Sequence, residues 1–232
     1  MSVIFECRDL VKSYGKVTAL KGINLQLENG RIVGLLGPNG SGKTTLIKLA
    51  NRLLQPTSGE LRIVGELPGV KTKAAIAYLP DKDFLPDWMK MDGLMNFYGD
   101  VFQDFDRGRA EDMLRSLNIP MHQTLKKMSK GTREKVQLIL VMSRRAKVYL
   151  LDEPIAGVDP AARDYILRTI LSNYEESALV LISTHLIADV ESVLDEAVFL
   201  KQGEIVLHKS TDAIREETGK SVDEYFREVF RC

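Results

Sequence analysis

The sequence predicts an α/β protein with a mostly parallel sheet, an N-terminal antiparallel β subdomain and an inserted α-helical subdomain. Strand-like and helix-like segments alternate along most of the 232 residues, which is the pattern of a parallel sheet with crossover helices. The N-terminal part instead carries two strand-like runs in succession. Between residues 80 and 128, strand signals vanish and two amphipathic helical patterns follow one another.

The first elements are two strands predicted at residues 3–10 and 22–27, joined by a polar turn as in an antiparallel meander. The run at 32–36 is short, apolar and bounded by glycines, which is typical of a buried strand. Apolar residues then recur at helical spacing over 44–54. The segment at 55–59, Gln-Pro-Thr-Ser-Gly, is expected to end that helix.

The later elements form the inserted helical subdomain first, and then further strands and helices of the core. Two amphipathic patterns predict helices at 91–102 and 107–117 within the insertion. The segments that follow predict strands at 148–151, 179–183 and 198–201, and helices at 131–142, 160–174, 187–193 and 221–230.

Together these elements predict a single domain over residues 1–232 with three parts. The core with its β subdomain is expected at 1–80 and 146–210, the helical subdomain at 81–145, and C-terminal helices at 211–232.

Composition and charge argue against several classes of protein. The 32 acidic and 32 basic residues balance, which opposes a mainly electrostatic nucleic-acid binder without excluding a local basic patch. The longest apolar runs, at 148–151 and 178–182, are far shorter than the roughly 20 residues that cross a bilayer. Charges near the N-terminus oppose a signal peptide. Cys7 and Cys232 are expected as free thiols in a reducing cytoplasm, although the sequence leaves a disulfide between them open.

Residues 37–45 carry the strongest motif of the chain. They fit G-x-x-x-x-G-K-[ST] between a predicted strand and a predicted helix, which distinguishes a phosphate-binding loop (P-loop) from a chance glycine-rich turn. Such glycines let backbone N–H groups converge on phosphate oxygens at the start of a helix. Lys43 would neutralise the β- and γ-phosphates, and the Thr44 hydroxyl would coordinate Mg²⁺. The expected ATP-binding residues of the loop are Gly37, Pro38, Asn39, Gly40, Ser41, Gly42, Lys43, Thr44 and Thr45.

A pair of acidic residues follows the buried strand predicted at 148–151. Asp152 comes at the carboxyl end of that strand, where ligands of open α/β sheets bind, and would hold the magnesium ion. Glu153 would take a proton from the attacking water as a general base. The alternative is a pair of solvated carboxylates that cap a strand, which is the weaker explanation beside a P-loop.

The chain resembles the ATP-binding-cassette (ABC) ATPase family over essentially its whole length. The resemblance rests on motifs that occur in the family's order: Tyr14, the P-loop at 37–45, a signature segment at 128–132, Asp152 with Glu153, Asp159, and Ser183-Thr184-His185. It implies a P-loop NTPase core and two cassettes that pair head to tail. ATP would lie between the P-loop of one cassette and the signature of the other.

The resemblance implies roles for residues outside the P-loop. Tyr14 would stack on adenine, although it can also be an ordinary aromatic at a sheet edge. Ser129 and the Gly131 backbone would contact the γ-phosphate of the opposite cassette, and Ser129 can cap the following helix as well. His185 would sense the γ-phosphate and orient the attacking water. Asp159 would either lie at the dimer interface or cap the next helix. The expected catalytic residues are Glu153, His185 and Lys43.

Two positions depart from the family pattern. In the signature, Lys130 and Thr132 replace a glycine and a glutamine, but the phosphate-contacting Ser129 and Gly131 are kept, so we expect an atypical but functional signature. Asp81 stands where the family has a magnesium-contacting glutamine. A carboxylate is an acceptable Mg²⁺ ligand, and the alternative is a turn-forming aspartate after proline. The expected metal ligands are Thr44, Asp152 and Asp81.

An apolar, turn-rich stretch follows at residues 84–89. It is expected either to form a small core under the helical subdomain or to line a groove that receives a helix of a membrane subunit. The family resemblance favours the groove.

The function predicted from the sequence is the ATP-binding and ATP-hydrolysing subunit of a transporter, of the small bacterial export type. Its cofactors would be ATP and Mg²⁺, and its partners a second ABC ATPase subunit and transmembrane permease subunits, with no nucleic acid. It would be cytoplasmic, peripheral on the inner face of the cell membrane. Alternatives are a non-transport cassette, such as a cofactor-assembly cassette, or one that hydrolyses ATP slowly. Turnover is expected because Lys43, Asp152, Glu153 and His185 are all present.

Overall fold

The computed structural model describes residues 2–231, apart from the side chains of residues 161 and 162. The strands are β1 (Val3–Tyr14), β2 (Val17–Glu28), β3 (Arg31–Leu36), β4 (Ser58–Ile63), β5 (Ile76–Leu79), β6 (Val148–Asp152), β7 (Leu179–Thr184), β8 (Glu196–Lys201) and β9 (Glu204–Ser210). The helices are α1 (Lys43–Ala50), α2 (Val70–Ala75), α3 (Met91–Val101), α4 (Arg107–Ser116), α5 (Lys130–Met142), α6 (Pro160–Asn173), α7 (Ile187–Val190), α8 (Thr211–Thr218) and α9 (Val222–Phe230), with short 3₁₀ turns at Leu125–Lys127 and Glu191–Val193.

The main sheet has six strands in the order β5-β6-β7-β3-β8-β9. The first five are parallel, and β9 runs antiparallel to β8. Every residue of β6 and β7 is buried, as expected of parallel strands covered on both faces. The predicted fold class is confirmed. The strand order also places the carboxyl ends of β3, β7 and β6 side by side, so the loops that follow these strands meet.

The N-terminal sheet has three antiparallel strands in the order β2-β1-β4. The sequence predicted a meander of two strands, but the third strand comes from beyond α1 and pairs with β1. Both N-terminal strands are longer than predicted. A register shift between Cys7 and Leu10 lets β1 continue, so the hairpin closes at the pair Tyr14 and Val17.

The helix ends follow local capping residues. The first helix ends at Ala50 rather than at residue 54, because Asn51 donates its side-chain amide to the Ile47 carbonyl and Arg52 adopts a left-handed φ of 53°. The α5 helix starts after Ser129, whose hydroxyl accepts a hydrogen bond from the Thr132 N–H at 3.2 Å. The elements that the sequence did not predict are α2, β4, β5 and β9, and α8 lies in the segment where C-terminal helices were expected.

Three apolar clusters support these elements. One lies on the face of the main sheet covered by α5, α6 and α9, and a second lies between the opposite face, α1 and the N-terminal sheet. The third is formed within the helical region and includes Met91, Leu94, Leu114 and Leu140. The domain boundaries expected from the sequence stay a prediction.

A buried arginine joins the helical region to the first strand of the main sheet. Arg144, which is 3% exposed, donates to both carboxylate oxygens of Asp104 at 2.8 and 2.9 Å. It also donates to the carbonyls of Ile76 and Ala74 at 2.5 and 2.6 Å. Its guanidinium stacks on the Phe102 ring at 4.0 Å. One side chain therefore fixes the start of β5.

The C-terminal helix α9 covers the far side of the sheet. Its Tyr225, Phe226 and Phe230 rings surround Phe199 of β8 at centroid distances of 5.2 to 6.1 Å. Cys7 is buried and is a free thiol, whereas Cys232 lies outside the described residues. Among residues 2–231, no helix combines the length and the apolar character needed to span a bilayer.

Candidate active site

The loop at residues 37–45 joins the end of β3 to the start of α1 and approaches other backbone closely. A Cβ at Gly37 would lie 2.4 Å from the Leu200 carbonyl, and a Cβ at Gly42 would lie 2.8 Å from the Ala19 carbonyl. Gly42 caps α1 with a left-handed φ of 114°, which glycine adopts without strain. The sequence thus folds into a loop that only glycine permits at these points, ending at a helix N-terminus.

Lys43 places its ammonium at the centre of this loop. The side chain is 5% exposed, and Nζ donates to the Gly37 carbonyl at 2.7 Å and to the Pro38 carbonyl at 3.3 Å. Nζ also lies 3.3 Å from Oε1 of Glu153. A largely buried positive charge therefore faces the acidic end of β6, and a phosphate would take over part of this pairing.

Asp152 is brought to the loop by the end of β6. Its Oδ1 accepts hydrogen bonds from the Thr44 hydroxyl at 3.1 Å and from the Ser183 hydroxyl at 2.5 Å. Burial raises the pKa of Asp152, while the hydrogen bonds from Ser183 and Thr44 oppose that rise. Ser183 was not predicted as a site residue. In the sequence, Ser183 was indicated only by its place two residues before His185, at the end of a predicted strand. Its pairing in register with Asp152 is seen in the structure.

The same carboxylate carries the best argument for a magnesium site. Asp152 is fully buried, and within the described part of the chain its Oδ2 atom has no hydrogen-bond partner. A buried oxygen without a partner is costly unless a cation or donor satisfies it. Since Mg²⁺ prefers carboxylate and hydroxyl oxygens, Asp152 and Thr44 fit it. Residues 2–231 hold no group of three or more His, Cys, Asp or Glu that could bind a metal.

Glu153 and His185 lie beside Asp152. Glu153 has a left-handed φ of 51°, held by its N–H, which donates to the Ser183 carbonyl at 2.9 Å. This uncommon conformation turns the side chain towards Lys43 and His185. Oε2 of Glu153 lies 3.0 Å from Nδ1 of His185, and the carboxylate is 14% exposed. The three residues expected to be catalytic are therefore joined through one carboxylate.

Asp81 follows β5 and faces the same cavity. It lines the pocket of the P-loop together with Lys43, Thr44 and Glu153. It also lines a neighbouring cleft with Lys130 on α5. Its charge contributes to the raised pKa of Asp152, after burial and the opposing hydrogen bonds. The structure therefore brings Asp81 near the other two expected metal ligands.

Other expected ATP-binding residues lie elsewhere on the surface. Ser129 and Gly131 line a separate cavity with residues 157–159. Tyr14 lies at the end of β1 with its ring 47% exposed and the Lys12 ammonium 5.2 Å from the ring centroid. Ala19, further along the same hairpin, lines the P-loop pocket. The structure does not bring Ser129 and Gly131 into the P-loop pocket of the same chain.

The apolar stretch at 84–89 is divided between core and surface. Leu85 is 5% exposed and belongs to the helical cluster, whereas Phe84 is 37% and Trp88 78% exposed. The small-core alternative therefore holds for Leu85, and the groove for a membrane subunit stays a prediction for the exposed side chains. The exposed Phe84 and Trp88 follow Asp81 by three and seven residues in the sequence.

Comparisons with known proteins agree with this geometry. The model of the family described as "ABC transporter" matches residues 20–156, more than half of the chain. An uncharacterized ABC transporter ATP-binding protein of Synechocystis is 30% identical over 82% of this chain. The chain spans 56% of the length of that relative.

Solved structures cover the chain almost completely. An ATP-binding subunit of an ABC transporter aligns with a TM-score of 0.88 at 26% identity, over 98% of this chain and 100% of the other. The cbiO1 protein of Clostridium perfringens, described as part of the ABC transporter complex cbiONQ, aligns with a TM-score of 0.75 at 25% identity, over 99% and 95%.

The resemblance inferred from the sequence is confirmed by these matches, and so is ATP binding. The matched family and relatives are described as ABC transporters, ATP-binding proteins of such transporters or parts of their complexes. The chain belongs to the ABC transporter family, as one of its ATP-binding subunits.

Proposed function

We propose that the chain binds Mg·ATP at the P-loop, hydrolyses it, and uses the cycle to drive a membrane permease. One observation carries the proposal. The ends of β3, β6 and β7 bring the Lys43 ammonium, the Thr44 hydroxyl and the carboxylates of Asp152 and Glu153 into a single cluster. A cation, a metal-binding oxygen pair and a candidate base are the groups that phosphoryl transfer to water requires.

Each residue has a distinct task in this proposal. Lys43 would bind the phosphates, and Thr44, Asp152 and Asp81 would hold Mg²⁺, which supplies charge neutralisation when bound. Glu153 would accept the proton of the attacking water. His185, bonded to the same carboxylate, would orient that water and the γ-phosphate.

A second ABC ATPase subunit would complete the site. Ser129 and Gly131 lie at the exposed start of α5, in a cavity other than that of the P-loop. A head-to-tail pair places this helix N-terminus against the γ-phosphate held by the other subunit. Tyr14, exposed at the hairpin, would stack on adenine.

The permease would contact the exposed aromatics Phe84 and Trp88. Exposed apolar groups of this kind mark interaction sites. The cbiO1 relative assembles in a transporter complex, which supports the same arrangement here. The chain would then be cytoplasmic and peripheral on the inner face of the cell membrane. Co-purification with a multi-span protein from solubilised membranes tests this part of the proposal.

The hydrolytic role is tested with Glu153→Gln. Phosphate release should fall by roughly 10² to 10⁴, because a positioned base contributes about that factor. Equilibrium binding of ATP should persist, since Lys43 and the loop amides remain. Glu216→Gln, at an exposed position far from the P-loop, is the control and should match the parent. Hydrolysis at the parental rate in Glu153→Gln would show that Glu153 is not the base.

A further inference from the structure

The signature helix and the loop that carries the exposed aromatics are in direct contact. We name residues 81–89 the aromatic loop. It starts at Asp81 in the P-loop pocket and ends after Trp88. The α5 helix starts at the signature, and its second and third turns face this loop. The contact is made mainly by two side chains of α5.

The first of these side chains is Arg133. It is 12% exposed, and its Nε binds the Asp83 carboxylate. Its Nη1 lies 2.9 Å from Oδ1 of Asp87 and donates to the Leu125 carbonyl at 3.0 Å, and its Nη2 donates to the Leu85 carbonyl at 2.6 Å. One planar guanidinium thus binds three residues of the aromatic loop. A lysine has no such fork of donors.

The second side chain is Gln137, one helical turn further along the same face of α5. It is 4% exposed, and its Oε1 accepts a hydrogen bond from the Phe84 N–H at 3.1 Å. Asp83 in turn accepts from the Leu85 N–H at 2.8 Å. Arg133 and Gln137 therefore bind residues 83, 84, 85 and 87 of the aromatic loop through polar contacts, in which the two α5 side chains are largely buried and the Asp83 and Asp87 carboxylates are 42% and 66% exposed.

We propose that Arg133 and Gln137 are positioning residues that fasten the aromatic loop to α5, so that the loop follows the signature helix when that helix engages nucleotide. These hydrogen bonds converge on two side chains and act as a network, because separation of the loop would leave the largely buried Arg133 and Gln137 without these partners. The helix and the loop then behave as one body, and the state of the nucleotide reaches Phe84 and Trp88 through α5. This inference rests on the proposed function.

Trp88 supplies the measurement, because it is the only tryptophan of the chain and is 78% exposed. The full chain is compared without nucleotide, with Mg·ADP and with Mg·ATP, in the Glu153→Gln background that retains ATP. Trp88 emission and its quenching by acrylamide should change with Mg·ATP. In Arg133→Met this change should shrink by at least about fivefold, the low end of typical coupling, while ATP binding is kept.

Matched variants separate positioning from a general loss of structure. Arg115→Met removes an arginine whose side chain is 75% exposed and should keep the full Trp88 response. Arg133→Lys keeps the charge without the fork and should be intermediate. If circular dichroism shows Arg133→Met to be unfolded, the double change Asp83→Asn and Asp87→Asn weakens the same contact and should reduce the response.

Three results would overturn the inference. The first is a folded Arg133→Met chain with the parental Trp88 response, and the second is the parental response in the double variant. The third is a parent chain that binds Mg·ATP without any change in Trp88 emission or quenching. Failure of the parent to bind ATP would instead contradict the proposed function.

Discussion

At the scale of single residues, the two carboxylate oxygens of Asp152 have different surroundings, and these surroundings suit a cation. Two hydroxyls, from Thr44 and Ser183, donate to one oxygen of its carboxylate, while the second oxygen is buried and has no partner in the described chain. The hydroxyls fix the carboxylate plane and leave the second oxygen for a ligand. In the proposed magnesium site, Ser183 would act on the metal through Asp152.

Replacing Ser183 with alanine tests this positioning. The Mg²⁺ concentration for half-maximal hydrolysis should rise by roughly tenfold, the low end of the effect of losing a partner of a metal ligand. The measurement is ATP hydrolysis as a function of free Mg²⁺. Ser172→Ala, at an exposed position on α6, is the control. An unchanged Mg²⁺ requirement in Ser183→Ala would remove Ser183 from the site.

The sequence could predict residues that lie in motifs but not residues that act through geometry. The P-loop is contiguous, and Asp152 follows an apolar strand, so both were identified from local pattern. Ser183 meets Asp152 only because β6 and β7 are neighbours in register. The left-handed φ of Glu153, whose N–H donates to the Ser183 carbonyl, likewise has no sequence signal.

At the scale of elements, Arg144, which follows α5, links Asp104 to the start of β5 and should contribute strongly to the local stability. Arg144→Met leaves Asp104 and two carbonyls without their donor, so the free energy of unfolding should fall by about 3 kcal/mol or more. Urea denaturation followed by circular dichroism measures it. Arg145→Met, next in sequence but 62% exposed, should lower the free energy of unfolding far less, because its ion pair with Asp106 is screened by solvent. Equal losses in the two variants would contradict the assigned role of Arg144.

The ends of helices could be predicted where the apolar spacing and the capping residues indicated the same positions. The helices α3 and α4 end within one residue of the prediction, and α9 starts after Ser221, whose hydroxyl accepts from the Glu224 N–H. The α1 helix was predicted too long because Leu53 and Leu54 continue its apolar spacing beyond the Asn51 cap. The β4 and β9 strands were missed because their partners, β1 and β8, are set by tertiary pairing.

At the scale of the whole molecule, the exposed start of α5 should decide pairing of two subunits. An added Cβ at Gly131 would meet nothing within 4 Å, so the fold should accept Gly131→Asp. The carboxylate would repel the γ-phosphate held by the other subunit, weakening ATP-dependent pairing by about 2 kcal/mol or more, over tenfold.

Light scattering of the Glu153→Gln chain with Mg·ATP measures this pairing. Gly131→Ala adds the Cβ without charge and should pair more strongly than Gly131→Asp does. A Gly131→Asp chain that still pairs with Mg·ATP would contradict a signature facing the partner's phosphate.

The whole fold could be predicted in outline because the alternating pattern specifies a parallel sheet. The contacts between distant segments could not. Arg133 and Asp83 are fifty positions apart in the sequence, and no local sequence pattern predicts that α5 and the aromatic loop are in contact.

The Arg144 contact also protects an edge of the main sheet. β5 is an edge strand of four residues, and the guanidinium occupies the carbonyls at its start. The opposite edge, β9, is lined by charged side chains such as Lys209 and Glu204. Bare strand edges are templates for aggregation. A chain that loses Arg144 would thus leave the carbonyl at the start of β5 without its donor at this edge of the sheet.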